Sequence, residues 1–116
     1  MPSPLTGNLL QQLPKDLSQE VFEKLVELPG LTIERIVSKG QSSPESGWYD
    51  QANGEWVLVL QGEGQLEFEQ PIDGQHIITL TSGDYIDIPA HTRHRVLATS
   101  SEPETIWLAI HYTQPA

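Results

Sequence analysis

The sequence predicts an all-β protein, an antiparallel jelly-roll barrel with a short N-terminal helix, and three observations support this. Short apolar stretches with alternating side chains recur along the chain, separated by Gly, Pro, Asp, Asn and Ser. Helical spacing of apolar residues occurs only before Pro29 and Gly30. Residues 83–94 combine a turn glycine, a short strand and a proline that ends it. Closing such strands into a barrel removes exposed edges and encloses space for a small ligand.

The first thirty residues are predicted to form an arm and the helix. Residues 1–15 mix proline with polar residues without sustained periodicity, which indicates an extended arm. Asp16 or Ser18 can accept hydrogen bonds from the free amides of a first helical turn. Apolar residues then recur at helical spacing, namely Val21, Phe22, Leu25, Val26 and Leu28. We therefore expect an arm and helix in residues 1–30 and a β-barrel domain in residues 31–116.

The barrel domain is predicted to consist of short antiparallel strands. In chain order these are residues 31–38, residues 55–60, a hairpin marked by Leu66 and Phe68 and by Ile78 and Leu80, residues 85–88, residues 95–98 and residues 105–112. Both faces of residues 55–60 are largely apolar, so this strand is expected to be central.

Size and composition limit the function classes. A chain of 116 residues has the size of one domain. It contains no cysteine, so any metal must be bound by nitrogen and oxygen donors. With 6 basic and 16 acidic side chains the net charge is −10, which disfavours nucleic acid as a partner. The sequence shows no apolar run long enough to cross a bilayer and no signal peptide, and we expect a cytoplasmic protein without a membrane partner.

The spacing of glycine, proline and histidine after residue 82 matches a motif of a known family. Gly83, Pro89 and His94 have the spacing of the second motif of the cupins, G(x)5PxG(x)2H(x)3N. His91 and Ala98 occupy the positions of its second glycine and its asparagine. The chain therefore resembles the cupins, which are small jelly-roll barrels.

The first cupin motif, G(x)5HxH(x)3-4E(x)6G, is matched in its second half. Glu55 and Gly62 have the required spacing, but no histidine pair precedes them. Counting back from Glu55, the histidine positions hold other residues: Trp48 and Asp50, or Tyr49 and Gln51. We interpret the chain as a small single-domain cupin with a degenerate first motif.

The resemblance implies a divalent metal ion bound by three histidines and one glutamate inside the barrel. Glu55 and His94 stand at two of these positions. Asp50 is the best substitute for a missing histidine, because a carboxylate is a competent oxygen donor, and His91 is the next candidate. Imidazole and carboxylate ligands suit Fe(II), Mn(II), Ni(II) or Zn(II).

The position of His91 depends on the local backbone. Residues three apart on a regular strand point to opposite faces, so His91 and His94 converge only if the chain bends after Pro89. Without that bend, His91 lies at the barrel rim. Structural roles are the alternative for the two motif residues: Glu55 as a hydrogen-bonded carboxylate at a strand start, and His94 as a core histidine that donates to a backbone carbonyl.

Tyr49 and His111 are the candidates for proton transfer. His111 shares one face of the last predicted strand with Trp107 and Ala109, and if that face lines the cavity His111 is an acid–base group or a further ligand. His76, beside a predicted turn, is expected to be exposed.

Two functions are compatible with these residues. The first is a metal-binding cupin, in particular a metal-dependent enzyme of dioxygenase or isomerase type that acts on a small organic molecule. The alternative is a metal-free module that binds or senses a small ligand. A homodimer is expected in either case, because the predicted helix offers an apolar face for a partner.

Overall fold

The computed structural model describes residues 3–44 and 46–114, which form eight antiparallel strands and no helix. The strands are β1 (Val21–Leu28), β2 (Leu31–Ser38), β3 (Gly54–Gln61), β4 (Glu63–Ile72), β5 (Gln75–Thr81), β6 (Tyr85–Ile88), β7 (His94–Thr99) and β8 (Thr105–Tyr112). One sheet has the strand order β1-β2-β8-β3-β6 and the other has the order β5-β4-β7. The prediction of an antiparallel all-β protein is confirmed.

The predicted strands of the barrel domain correspond to β2 through β8. The bounds of β2, β6 and β8 are the predicted ones, and the others differ by a few residues at their ends. Strand β3 pairs with β8 on one side and with β6 on the other, so its predicted central position is confirmed. Val57 and Val59 on its inner face are buried, whereas Trp56, Leu58 and Leu60 on the opposite face are partly exposed.

The core lies between the two sheets. Val57 and Val59 of β3 and Trp107 of β8 pack against Leu66 and Phe68 of β4. These side chains come from alternate positions of their strands, which therefore point to the same face of each sheet. The two inner faces thus form one apolar layer, and the candidate site lies within it.

The two sheets are not joined into one closed barrel. Among residues 3–44 and 46–114, no ladder connects an outer strand of the larger sheet with an outer strand of the smaller one. Strand β6 has only four residues and is followed by Pro89, which lacks the N–H that a continuing ladder needs. In the segment between β2 and β3, Tyr49 forms an isolated bridge with His94 of β7, and the amide of Ser43 donates to the carbonyl of Val96 at 2.8 Å. The barrel prediction is corrected to two facing sheets.

The predicted N-terminal helix is wrong, because its residues form strand β1. This strand pairs antiparallel with β2, and the register shifts between Lys24 and Val26 so that Leu25 has no partner residue. One extra residue in a strand moves the following apolar residues to the other face, and the resulting spacing resembles that of a helix. Pro29 and Gly30, which were expected to end a helix, instead connect β1 and β2, with Gly30 at a φ of +80°.

The described part of the chain contains no helix long and apolar enough to span a membrane.

Candidate functional site

A cavity of about 280 Å³ opens within the layer between the two sheets. Strands β2, β3, β4, β7 and β8 supply most of its walls, and Phe22 of β1 and Tyr49 stand at partly exposed positions around it. The carboxylate, amide and imidazole side chains that line it are Glu20, Glu34, Gln51, Glu55, His94 and His111. The cavity therefore combines apolar walls with a polar group, as ligand sites commonly do.

His111 lies between two carboxylates. Glu55 is directly opposite His111 in the pairing of β3 with β8, and the Nδ1 of His111 is 3.4 Å from the Oε2 of Glu55. On the other side, β8 pairs with β2, and the Nε2 of His111 is 3.3 Å from the Oε1 of Glu34. Cross-strand neighbours on one face of a sheet are close enough to interact in this way. Both ring nitrogens of His111 therefore face acceptors.

The carboxyl group of Glu55 is perturbed by its surroundings. Burial raises the pKa of Glu55 above its ordinary value, and the neighbouring charge of Glu34 acts in the same direction. Positive charge on His111 and His94 and a hydrogen bond with Gln51 oppose this increase. A carboxyl whose pKa is raised in a cleft is suited to exchange protons closer to neutral pH.

His94 is held in one orientation. Its side chain belongs to a residue that is only 4% exposed, and its Nδ1 is 2.8 Å from the carbonyl oxygen of Thr92. A carbonyl only accepts, so Nδ1 carries the proton and donates it. The Nε2 of His94 makes no hydrogen bond with any described residue, and His94 lines the cavity. In the neutral ring, Nε2 is a free acceptor.

Tyr49 is fixed beside His94 through the backbone. The amide of Tyr49 donates to the carbonyl of His94 at 2.8 Å, and the amide of His94 donates in return at 3.2 Å. Their ring centroids are 5.8 Å apart, and Phe68 stacks on His94 at the same distance. Tyr49 therefore contributes an aromatic wall and a hydroxyl group to the cavity.

Asp50 and His91 lie outside the cavity. The Nδ1 of His91 is 3.0 Å from the Oδ1 of Asp50, and Arg93 approaches the other carboxylate oxygen at 3.5 Å. The hydrogen bond from His91 is the main cause of a lowered pKa of Asp50. The side chain of His91 is 70% exposed, and its φ is +61°, so the chain bends there but turns the imidazole outward. The bend that was required for convergence is therefore present, but His91 and His94 do not converge.

The placement of the predicted residues bears on the metal hypothesis. Of the four predicted ligands, Glu55 and His94 share the cavity, whereas Asp50 and His91 pair with each other outside it. Within residues 3–44 and 46–114, no three or more histidine, aspartate or glutamate side chains are arranged to hold a metal ion. A protein metal site usually needs at least three protein ligands. The donor set as placed does not fit the ion that the family pattern implies.

Two acidic residues of the cavity were not predicted from the sequence. Glu34 and Glu20 line it, and Glu20 accepts a hydrogen bond from the hydroxyl of Ser38. Glu34 carried a usable signal, because it shares a face of β2 with the apolar Ile36. A carboxylate on an inward face suggests a functional site. Its partner His111 could not be assigned, because the order of β2 and β8 in the sheet is not visible in the sequence.

Comparisons with known proteins agree with this architecture. The family model described as "Cupin domain" matches residues 34–111. A structure from Ralstonia eutropha, titled a "putative mannose-6-phosphate isomerase", is 40% identical, covers 96% of this chain and 100% of its own, and has a TM-score of 0.88. No curated protein is significantly similar in sequence.

More distant structures show the same fold. A cupin superfamily protein from Desulfitobacterium hafniense is 20% identical with a TM-score of 0.75, covering 98% of this chain and 95% of its own. An RmlC-like cupin from Desulfovibrio desulfuricans is 23% identical with a TM-score of 0.70, covering 94% and 97%. The motif residues, the facing antiparallel sheets and the family match together show that this chain belongs to the cupin domain family.

Proposed function

We propose that this protein is a cupin that binds a small organic molecule in the cavity between its sheets without requiring a metal ion. The observation that carries the proposal is that Glu34, Glu55, His94 and His111 line one cavity, and that no three ligands for a metal ion are arranged together in the described part of the chain. The volume of about 280 Å³ is close to the lower end of the roughly 300–1,000 Å³ typical of small-molecule sites. The ligand is therefore small.

The lining of this cavity does not suit the sugar phosphate that is named in the description of the Ralstonia relative. A phosphorylated sugar carries a dianionic group, and phosphate sites use Lys, Arg, a metal ion or a helix N-terminus. The described residues that line this cavity include three glutamates and no Lys or Arg. A phosphate group would meet repulsion here, so we do not assign a sugar phosphate as the ligand.

The proposal is tested by filling the cavity. Val96 lines it, whereas the next residue, Leu97, does not line it and is 37% exposed. Thermal unfolding is measured for the wild type, Val96→Trp and Leu97→Trp with a panel of small metabolites in the presence of EDTA. We expect at least one compound to stabilise the wild type and Leu97→Trp but not Val96→Trp. No response from any compound, or an equal response of both variants, would contradict the proposal.

A metal-dependent enzyme is the second candidate, and one observation favours it. His94 donates from Nδ1 to a backbone carbonyl and presents Nε2 to the cavity, which is the orientation commonly seen in metal-binding histidines. Elemental analysis of protein purified without chelators, before and after addition of Fe(II), Mn(II), Ni(II) or Zn(II), separates the two candidates. About one ion per chain, lost in His94→Ala, would replace the first proposal with this one.

Tyr49 and His111 remain the candidates for proton transfer if the bound molecule is transformed. His111 would exchange its proton with Glu55 or Glu34, which are its nearest acceptors. The hydroxyl of Tyr49 makes no hydrogen bond with a described residue and is thus available to a ligand.

A further inference from the structure

Negatively charged side chains predominate among the charged groups that line the cavity. Glu20, Glu34 and Glu55 contribute carboxylates, and no Lys or Arg is found among the described residues that line it. His111 supplies at most one positive charge between Glu34 and Glu55. Even with His111 protonated, the ionised carboxylates leave the cavity negative.

The groups that are free to bind a ligand are mainly hydrogen-bond acceptors. His94 is the clearest case, because its Nδ1 proton is committed to Thr92 and its Nε2 has no partner among the described residues. His94 is only 4% exposed as a residue, and it lines the cavity, so a ligand in the cavity can reach this acceptor. The carboxylates of Glu34 and Glu55 can only accept when ionised. A ligand that satisfies these groups must bring N–H or O–H donors.

Aromatic side chains complete the environment. Phe22, Tyr49 and Trp107 line the same cavity as the carboxylates. The face of an aromatic ring attracts a cation, and the attraction is stronger where water is excluded, as at Trp107, which is 4% exposed; Phe22 and Tyr49 are more exposed and contribute less. Aromatic walls together with carboxylates and a free imidazole acceptor favour an organic cation over a neutral or anionic molecule.

We propose that the ligand of this cavity is a small organic amine, bound as a primary ammonium ion that donates to the Nε2 of His94 and is attracted by the nearby carboxylates of Glu34 and Glu55, without one nitrogen contacting all three groups. This proposal rests on the function proposed above and specifies its ligand class. Burial raises the pKa of Glu55, and an ammonium ion beside the carboxylate would offset the cost of its ionisation. The apolar part of the amine would contact the aromatic walls.

Four small molecules of similar size distinguish the effect of the ligand's charge on binding from the effect of its hydrogen-bond donors. Benzylamine supplies a cation with N–H donors, benzyltrimethylammonium a cation without them, benzyl alcohol a neutral donor and benzoate an anion. Binding of each to the wild-type protein is measured by calorimetry near neutral pH in EDTA. We expect benzylamine to bind at least about tenfold more tightly than benzyl alcohol, and benzoate to bind most weakly. Benzyltrimethylammonium should bind more weakly than benzylamine, because it cannot donate to His94.

Variants test the assigned groups. Glu34→Gln and Glu55→Gln should each weaken benzylamine by about tenfold and leave benzyl alcohol nearly unchanged, since only the cation loses an ion pair. The matched control is Glu69→Gln, because Glu69 pairs with Arg93 on the surface. This variant should leave the affinities for benzylamine and for benzyl alcohol unchanged. The probe series on the wild type does not depend on the folding of any variant.

The outcomes distinguish this inference from the function on which it rests. Benzyl alcohol or benzoate binding as tightly as benzylamine would overturn the amine assignment and leave small-molecule binding in place. Equal binding of the two cations would overturn the role of His94 as acceptor. If none of the four probes binds at millimolar concentration, while another metabolite passes the Val96→Trp test, the amine class is also rejected.

Discussion

Glu55 shows how a single side chain depends on residues distant in sequence. It lies at the start of β3, and its carboxylate meets His111 of β8 while Glu34 of β2 lies on the other side of that imidazole. The side chain of Glu55 is 16% exposed, so water screens these charges only partly. Its ionisation is therefore more costly in the folded chain than in the unfolded chain.

The raised pKa of Glu55 predicts a pH-dependent effect on stability. Between the ordinary value of 4.5 and the raised value, the folded chain binds more protons than the unfolded chain, so this carboxyl lowers stability as the pH rises through that window. Glu55→Gln cannot ionise. We expect the free energy of unfolding of the variant to increase relative to the wild type as the pH is raised from 4 towards 8, in urea titrations.

The control for this experiment is Glu63→Gln, which removes an exposed carboxylate of β4. The difference in the free energy of unfolding between Glu63→Gln and the wild type should not increase from pH 4 towards 8 as it does for Glu55→Gln. If the stability difference for Glu55→Gln were constant over the whole pH range, the perturbation of Glu55 would be contradicted.

At the scale of elements, the N-terminal arm is attached to β2 by one arginine. The guanidinium of Arg35 donates to the carbonyl oxygens of Leu9 at 3.1 Å, Gln11 at 2.8 Å and Gln12 at 3.2 Å. It also pairs with Glu23 of β1 at 2.7 Å. Arg35 is only 7% exposed, so these bonds are made largely away from water. The arm, β1 and β2 are thus connected through a single buried cation.

Removal of this cation should release the arm and weaken the edge of the sheet. We expect Arg35→Ala to lower the free energy of unfolding by about 2–4 kcal/mol, because several charge-assisted hydrogen bonds are lost and their acceptors are left unpaired. Arg35→Lys should recover only part of this loss, because an ammonium group cannot donate in a fork. Urea unfolding measures the loss, and limited proteolysis at residues 9–12 reports release of the arm.

Arg93→Ala is the matched control for charge removal. Arg93 makes two ion pairs, but its side chain is 53% exposed, and such pairs contribute roughly 0–1 kcal/mol. An effect of Arg35→Ala as small as that of Arg93→Ala would show that the arm is not held by Arg35.

For the whole molecule, the outer edge of the larger sheet is the main apolar surface. Strand β1 is the outermost strand and pairs only with β2 among the described residues. Four of its apolar residues are exposed: Phe22 at 58%, Leu25 at 48%, Val26 at 38% and Leu28 at 56%. An unpaired apolar edge strand is a template for another strand. Two copies of β1 can pair antiparallel about a twofold axis, so we propose a homodimer formed through this edge.

The mass in solution tests this proposal. Light scattering after size exclusion should give two chains for the wild type and for Ile77→Lys, which alters an exposed apolar residue of β5 in the other sheet. Leu25→Lys places a charge on the β1 edge and should give a single chain, since burying an unpaired ammonium in an interface is costly. A monomeric wild type, or a dimeric Leu25→Lys variant, would contradict pairing through β1.

The sequence alone determined the positions of most strands and of the turns between them. Alternating side chains place β2 through β8, because each strand buries one face or two and its period is local. Gly62 and Gly83, which carry the family resemblance, have φ values of +83° and +93°, which other residues rarely adopt. Glu55 and His94 are identified by their spacing from these glycines, and both line the cavity.

The tertiary structure decided which side chains meet. Strand β8 lies between β2 and β3, and this order brings His111 between Glu34 and Glu55, which no local pattern reveals. The bend at His91 and the pairing of β1 with β2 were likewise decided by contacts between distant segments. Local periodicity reports how one segment is buried. The identity of the neighbours depends on the free energy of packing the whole chain, which a single segment does not contain.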